Sequence, residues 1–290
     1  MKSRCLAVLL VLPSALLAEM TLTPADATVG KHLQVFVSVK LSEPVPGQTL
    51  ELTIVSEDPG KLLLSNDPYQ EGSRSIVVTA GRMTRESSDF WLQGLSSEGT
   101  VAYTVTAPGA APATGKVTLA PSGIVISGPF GGPWFRSTAG AKPSVIRVLT
   151  MALDKEMKPV ERQLVAGGRS VTFQVTSSNE RVGRVVEGTL TIAGPGAEEQ
   201  TEFRPAAPGD TTIAVSVPPG FDRPASAAEV VAKIMQPGLG LTDAVAVGQH
   251  LQIGGVLSLG EAAPAGGLPV TLTSSRSEEH TSELQSLSHL

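Results

Sequence analysis

Apolar residues recur at every second position along short runs of this chain. Leu33, Val35, Val39 and Leu41 share one side of such a run, and His32, Gln34, Phe36, Ser38 and Lys40 take the other. That rhythm is the pleat of a strand with one face in a core and one in water. Leu50, Leu52 and Ile54 repeat it, as do Val101, Tyr103 and Val105. Turn chemistry separates the runs: EDPGK follows Ser56, and Pro108 and Gly109 end a later one. A first strand is predicted over residues 20–27, a short edge over 62–64, and a closing strand over 116–120. Residues 75–79 and 87–93 are predicted to pair around Gly81. About seven strands at this spacing predict an all-β fold, a Greek-key sandwich.

The pattern returns. VGKHLQVFVSVKLSE from Val29 matches VGQHLQIGGVLSLGE from Val247 without a gap, at an offset of 247 − 29 = 218. Leu33, Val35, Val39 and Leu41 fall on Leu251, Ile253, Leu257 and Leu259, while Gly255 replaces Val37. Half the offset, 109, is about one sandwich domain. A diverged middle copy is therefore expected. GRSVTFQVTSSN from Gly168 echoes GQTLELTIVSED from Gly47, and TEFRPAAPGDTTIAVSVPPG echoes SDFWLQGLSSEGTVAYTVTAPG.

ADATVGKHLQVFVSVKLSEP, with GLSSEGTVAYTVTAPG and KVTLAPSG, resembles the tandem immunoglobulin-like (Ig-like) repeats of bacterial secreted and surface proteins. The resemblance spans residues 20–275, strongest in the first copy. It implies extracellular β-sandwich modules in a row, acting as spacers or adhesive stalks, and it carries no catalytic residues. The expected organisation is a first module over residues 19–122, a second over 123–236, and a third, truncated, over 237–275.

The two ends differ from the rest. MKSRCLAVLLVLPSALLAEM has Lys2 and Arg4 before a short apolar core that Pro13 breaks, the pattern of a signal peptide over residues 1–18. The apolar run is too short to span a bilayer comfortably. Its Cys5 is the only cysteine, so the mature chain is expected to have no disulfide and no thiolate ligand. Residues 276–286, RSEEHTSELQS, interrupt the third copy where a turn and four more strands are expected. They resemble the translation of a common sequencing-adapter DNA, which makes residues 276–290 an artefactual tail. The alternative is a natural polar tail of weak helix propensity.

Candidate chemistry is sparse. The formal charge of −5, with lysines and arginines scattered, excludes a basic stripe for nucleic acid. His32 and His250 are equivalent positions, expected on the outer face of the same strand; His280 and His289 lie in the tail. GLSSEG at residues 94–99 lacks the spacing of a nucleophile elbow and is expected to be a hairpin loop. GPGAEEQ at 194–200 lacks the lysine and helix of a phosphate loop and is expected to be a turn before a strand. Glu57, Asp58 and Asp67 do not form a calcium loop, and Asp-Pro turns account for them.

Of Phe90 and Trp91, one is expected in the core and one in solvent. GPFGGPWF at residues 128–135 suits a short connector, with Phe130, Trp134 and Phe135 covering the seam between modules; such rings could instead stack on sugars. No catalytic, cofactor or metal residue is assigned. The expectation is a secreted or cell-surface, non-enzymatic array with an unspecified protein or glycan ligand and no membrane span in the mature chain. The alternative is an accessory, carbohydrate-binding region of a larger extracellular hydrolase.

Overall fold

The computed structural model describes residues 20–241, 246–260 and 269–273. The signal segment and the tail lie outside them. The chain divides into two compact units. Of the described residues, the first holds 20–122 with 163–169 and 193–195, and the second holds the rest.

The first unit opens with β1 (Leu22–Pro24), β2 (Ala27–Gly30), β3 (Leu33–Val37), β4 (Val39–Leu41) and β5 (Thr49–Ser56). It continues through β6 (Leu62–Ser65), β7 (Ser75–Gly81), β8 (Phe90–Gly94), β9 (Thr100–Thr106) and β10 (Ala113–Ala120). One sheet runs β2-β10-β9-β5-β7, and the other is built on β3-β8-β6. In immunoglobulin terms β3, β8 and β6 are strands B, E and D, and β5, β9 and β10 are C, F and G. β2 runs parallel to β10, with Ala27 opposite Val117 and Gly30 opposite Ala120.

The predicted first strand is two strands, because the chain changes sheets at Ala25 and Asp26. That crossing is fastened by the Tyr103 hydroxyl, which donates to the Ala25 carbonyl at 2.6 Å, and by the Lys116 amide, which donates to Asp26 Oδ1 at 2.7 Å. Tyr103 is fully buried, edge-on to Phe90 at 5.9 Å between centroids. Burial, and then the nearby Asp26 charge, push its hydroxyl pKa up, against the opposing pull of its bond to Ala25. Leu52, Ile54, Leu62, Leu64, Leu92 and Val105 complete an aliphatic core.

Two sequence expectations need correction. β7 and β8 do not pair. β7 lies along β5 with Leu52 opposite Val78, and β8 lies between β3 and β6 with Val35 opposite Leu92. Residues 82–89 carry the chain from one sheet to the other, so turn chemistry between two strands did not reveal that they belong to different layers. Gln34 is the second. Alternation put it in solvent, yet it is fully buried among hydrogen bonds described below.

The second unit contains β11 (Ser122–Ser127), β12 (Trp134–Thr138), β13 (Ser144–Leu153), β14 (Pro159–Arg162), β16 (Ser170–Ser177) and β17 (Gly183–Val185). β18 (Thr189–Ala193), β19 (Glu198–Pro205), β20 (Gly209–Val215) and β21 (Glu229–Met235) follow. Its sheets run β11-β13-β19-β17 and β12-β21-β20-β16-β18. This is the strand order of the first unit, with β14 added alongside β13, and it includes the parallel pair formed there by β2 and β10, here by β12 and β21. Side-chain detail repeats as well. Ser56 Oγ donates to the Leu62 carbonyl at 2.8 Å, and Ser177 Oγ to the Gly183 carbonyl at 2.6 Å. The turns between them close on Asp58 Oδ1, which accepts from the Gly60 amide at 3.1 Å, and on Asn179 Oδ1, which accepts from the Arg181 amide at 3.2 Å. The third copy contributes only β22 (Leu239–Leu241) and β23 (Leu257–Leu259), paired with each other, among the described residues.

The sequence placed residues 163–169 in the second module, and they pack in the first unit. They carry β15 (Leu164–Val165), which pairs antiparallel with the start of β3, Leu164 opposite Gln34 and Val165 opposite Leu33. The B–E–D sheet is thereby four strands wide, β15-β3-β8-β6, with its new edge strand taken from far along the chain. A two-residue strand leaves no alternation to detect, so nothing in the hydrophobic pattern marks it.

Candidate functional site

The residues singled out for chemistry do not converge. His32 is not on a strand face. It occupies the turn between β2 and β3 with φ of 64°, and its amide donates to the Gly94 carbonyl at 2.8 Å. Burial, then the charges of Arg169 and Lys31, lower its pKa below 6.5. His250 has the same φ of 64° in the matching turn of the third copy, where it is exposed. Among the described residues no group of three or more histidines, cysteines, aspartates and glutamates could hold a metal ion.

The carboxylates are occupied by turns. Asp58 pairs with Lys61 at 3.4 Å while capping its own loop, Asp67 Oδ1 accepts from the Tyr69 amide at 2.9 Å, and Glu57 accepts from the Thr104 hydroxyl at 2.6 Å. Gly94 ends β8 and Gly99 precedes β9, so GLSSEG links strands of different sheets and is not a hairpin loop. Within it Ser96 Oγ donates to the Glu98 carbonyl at 3.2 Å. GPGAEEQ turns the chain at residues 194–197 into β19.

The aromatics divide. Phe90 is in the core and Trp91 is half-buried on the opposite face, beside Phe36 on β3. Phe130, Trp134 and Phe135 do not act together as a seam. All three belong to the second unit, where Phe135 is a core ring packed edge-on against Phe203 at 6.0 Å. Phe130 is 84% exposed and Trp134 is 51% exposed. Residues 128–133 are the loop between β11 and β12, so their Gly and Pro content serves a turn inside a domain. Two neighbouring cations lie near the Trp134 ring, Arg136 Cζ 5.5 Å and Lys233 Nζ 6.0 Å from its centroid, and they face each other across the β12–β21 pair. An open groove of about 650 Å³ is bordered by Phe130, by Arg136 and Thr138 of β12, by Ser144, Val145 and Arg147 of β13, and by Gln200 of β19; Trp134 does not line it. Arg147 also faces Glu198 at 3.8 Å.

Sequence reasoning missed the most developed polar site. Gln34 and Gln93 are opposite each other on β3 and β8, and both are buried. Gln93 Nε2 donates to Gln34 Oε1 at 2.9 Å and to the Gln70 carbonyl at 2.9 Å, and its Oε1 accepts from the Gly72 amide at 2.8 Å. Gln34 Nε2 donates to the Pro68 carbonyl at 2.9 Å, and its Oε1 also accepts from the Gly167 amide at 3.1 Å. Gln163 adds a second clasp, donating to the Thr28 carbonyl and accepting from the Gly30 amide, both at 2.9 Å. Buried amides satisfied in this way fix a single arrangement. The network therefore joins the 66–72 loop and the 163–169 segment to the B–E sheet. The signal in the sequence was two glutamines on a nominally outer face.

No family model matches the chain, and no curated protein does. Solved structures resemble it at low identity. The I9–I11 tandem of titin is 10% identical over 76% of this chain and 66% of that chain, at a TM-score of 0.26. Domains 4–9 of surface layer protein SbsC are 15% identical over 77% of this chain and 32% of that one, at 0.27. The type II cohesin dyad of the ScaA scaffoldin of Acetivibrio cellulolyticus is 10% identical over 75% and 97%, at 0.26. Strand order carries the assignment: the fold is all-β, a tandem of immunoglobulin-like sandwiches.

Proposed function

We propose that this chain is a secreted, non-enzymatic array of Ig-like modules serving as a spacer or adhesive stalk. One observation supports it above the rest: two successive units repeat one strand order, and the side chains best suited to catalysis are committed to turns. Catalysis needs a nucleophile or acid–base group with oriented partners in a water-limited pocket. A stalk needs rigid modules and loops free to vary. Among the described residues no helix is long and apolar enough to cross a membrane. The test is purified mature chain assayed against a panel of hydrolase substrates and for binding to cell surfaces. The reading expects no turnover. Activity that survives purification and is lost on replacing one Ser, Asp or Glu overturns it.

A second reading is an accessory carbohydrate-binding region of an extracellular hydrolase. It is favoured by Trp134, a half-exposed ring with Arg136 and Lys233 close by, which suits stacking on an acidic sugar. Glycan-array binding that disappears in Trp134→Ala supports this reading, and an unchanged array profile rejects it.

A further inference from the structure

β2 is the end strand of its sheet, and its outer edge is covered by a side chain. The Lys31 amide donates to the Ala120 carbonyl at 3.0 Å. Alternate residues of a parallel strand bond to one neighbour, so the Thr28 carbonyl and the Gly30 amide face away from β10. Gln163 takes both. Its Nε2 donates to the Thr28 carbonyl and its Oε1 accepts from the Gly30 amide, each at 2.9 Å. A glutamine amide presents the same kinds of donor and acceptor as a peptide bond, so Gln163 stands where the main chain of an added strand would. Beside it β15 pairs with the start of β3, and the Ala166 amide donates to the His32 carbonyl at 3.0 Å.

In the second unit β12 is the end strand, parallel to β21 as β2 is to β10, and among the described residues no other strand pairs with it. Two features fix the register. The Ala139 amide donates to the Met235 carbonyl at 3.0 Å, as Lys31 does to Ala120, and Gly140 has φ of 80° where His32 has 64°. At that offset, 140 − 32 = 108, Arg136 and Thr138 stand for Thr28 and Gly30. The Val231 amide donates to the Pro133 carbonyl at 2.9 Å, so residues 133, 135, 137 and 139 face β21. The Arg136 carbonyl and the Thr138 amide therefore point off the sheet. The groove of about 650 Å³ is lined by Arg136, Ser137 and Thr138, and by Ser144, Val145 and Arg147 of β13.

Its lining holds two arginines and, among the described residues, no aspartate or glutamate; Glu202, opposite Val145, is outside it. Glu198 takes Arg162 at 3.0 Å as well as Arg147 at 3.8 Å, so one carboxylate is set against two guanidinium groups. Phe130 and Val145 add apolar surface, 84% and 38% exposed. We propose that this groove binds an extended acidic peptide of a partner protein, whose main chain adds to the free edge of β12 and whose carboxylates meet Arg136 and Arg147. The bound main chain accepts from the Thr138 amide and donates to the Arg136 carbonyl, as Gln163 does for Gly30 and Thr28. Strand addition draws affinity from such main-chain bonds and specificity from alternate side chains, and arginine is the strongest partner for a carboxylate. The site deepens the adhesive reading by naming a partner. That reading rests on turnover and cell-surface binding assays, and it survives if this groove binds nothing.

The probe is a fluorescein-labelled hexapeptide of alternating valine and glutamate, added to the full chain. Anisotropy reads its binding, and residue-resolved amide exchange reads its place. The probe is expected to slow exchange of the Thr138 amide at least tenfold and to leave that of Ser137, which faces β21, unchanged. Arg136→Gln combined with Arg147→Gln is expected to weaken binding at least tenfold. Two further probes need no change to the protein: one of alternating valine and lysine, and the glutamate probe N-methylated along its backbone. Neither is expected to bind. Equal binding of the glutamate probe and either of these overturns the proposal. So does saturation without a change at Thr138, or no binding of the glutamate probe at millimolar concentration. An acidic oligosaccharide that binds through Arg136 and Arg147 where the peptide does not overturns it too, in favour of the carbohydrate-binding reading.

Discussion

Leu33 and Leu251 follow the same turn in nearly the same sequence, VGKHLQ and VGQHLQ. His32 and His250 hold the same φ of 64°, and Gly30 and Gly248 each lie under the leucine three residues on. Yet Leu33 is fully buried and Leu251 is 72% exposed. Local sequence thus writes the turn in both copies. Burial needs the other strands of the sandwich, which surround Leu33 and do not surround Leu251 among the described residues. Backbone conformation here is local, and the hydrophobic stabilisation that makes it matter is not.

The sharpest way to break the comparison is a charge on each core face. Leu52→Asp, at a position with no solvent exposure, is expected to unfold the first unit, costing more than about 4 kcal/mol. Ile253→Asp, at the third copy's exposed counterpart of Val35, is expected to leave thermal unfolding of both units where it was. Val35→Asp sits between these, because Val35 is half-buried although alternation placed it fully inside. A loss of melting temperature on Ile253→Asp would mean that the third copy packs against something.

A smaller effect is expected at the borrowed edge. Gly167→Val drives a side chain into the Pro68 and Gln70 carbonyls and releases Gln34, at a cost of about 3 kcal/mol to the first unit. Gly255→Ala, with nothing within 4 Å of the added carbon, is expected to change stability by less than about 0.5 kcal/mol. Denaturant melts followed by tryptophan fluorescence, with Trp91 in the first unit and Trp134 in the second, read the two responses separately.

The two complete units invite a finer test of their likeness. Ser56→Ala removes the hydroxyl bond to the carbonyl that opens strand D, at an expected cost of about 1 kcal/mol. Ser177→Ala removes the same bond and also the one to Thr211 Oγ1 at 2.8 Å, so Ser177→Ala is compared in a Thr211→Val background. Exchange over residues 62–65 and 183–185 should rise to a similar degree. A large difference between them would show that the turn is kept for different reasons in the two copies.

How far the sequence foretold this structure depends on how local the cause is. Strands with clean alternation, such as Leu50-Leu52-Ile54 and Val101-Tyr103-Val105, were legible because one face meets a core. The repeat was legible because its spacing is carried by those faces. Sheet membership was not: whether β7 pairs with β5 or β8 is decided by chain crossing, which leaves no periodic trace. β15 was hidden for a related reason. Its two residues are made a strand by β3, and Gln34 is made a buried residue by what covers it. The candidate chemistry was legible mainly as turn chemistry at Asp58 and Asp67, while the approach of Lys233 to the exposed Trp134 ring came only with the parallel β12–β21 pair.

The smallest effect is a dependence on pH, again read through the paired turns. His32 has its pKa lowered on folding by burial and by Arg169 and Lys31. The unfolded chain therefore holds a proton that the folded chain gives up. Below the ordinary value of 6.5, protonation favours the unfolded state, so stability from this residue is present above 6.5 and drains as pH falls through the folded value. His32→Asn keeps a residue that tolerates positive φ and removes the titration. The first unit's melting temperature is then expected to fall less between pH 7 and pH 5 than in the parent. His250→Asn, in a copy whose neighbours are exposed, should leave that profile unaltered. An equal acid response in His32→Asn and parent would place the acid sensitivity of the first unit on its carboxylates instead.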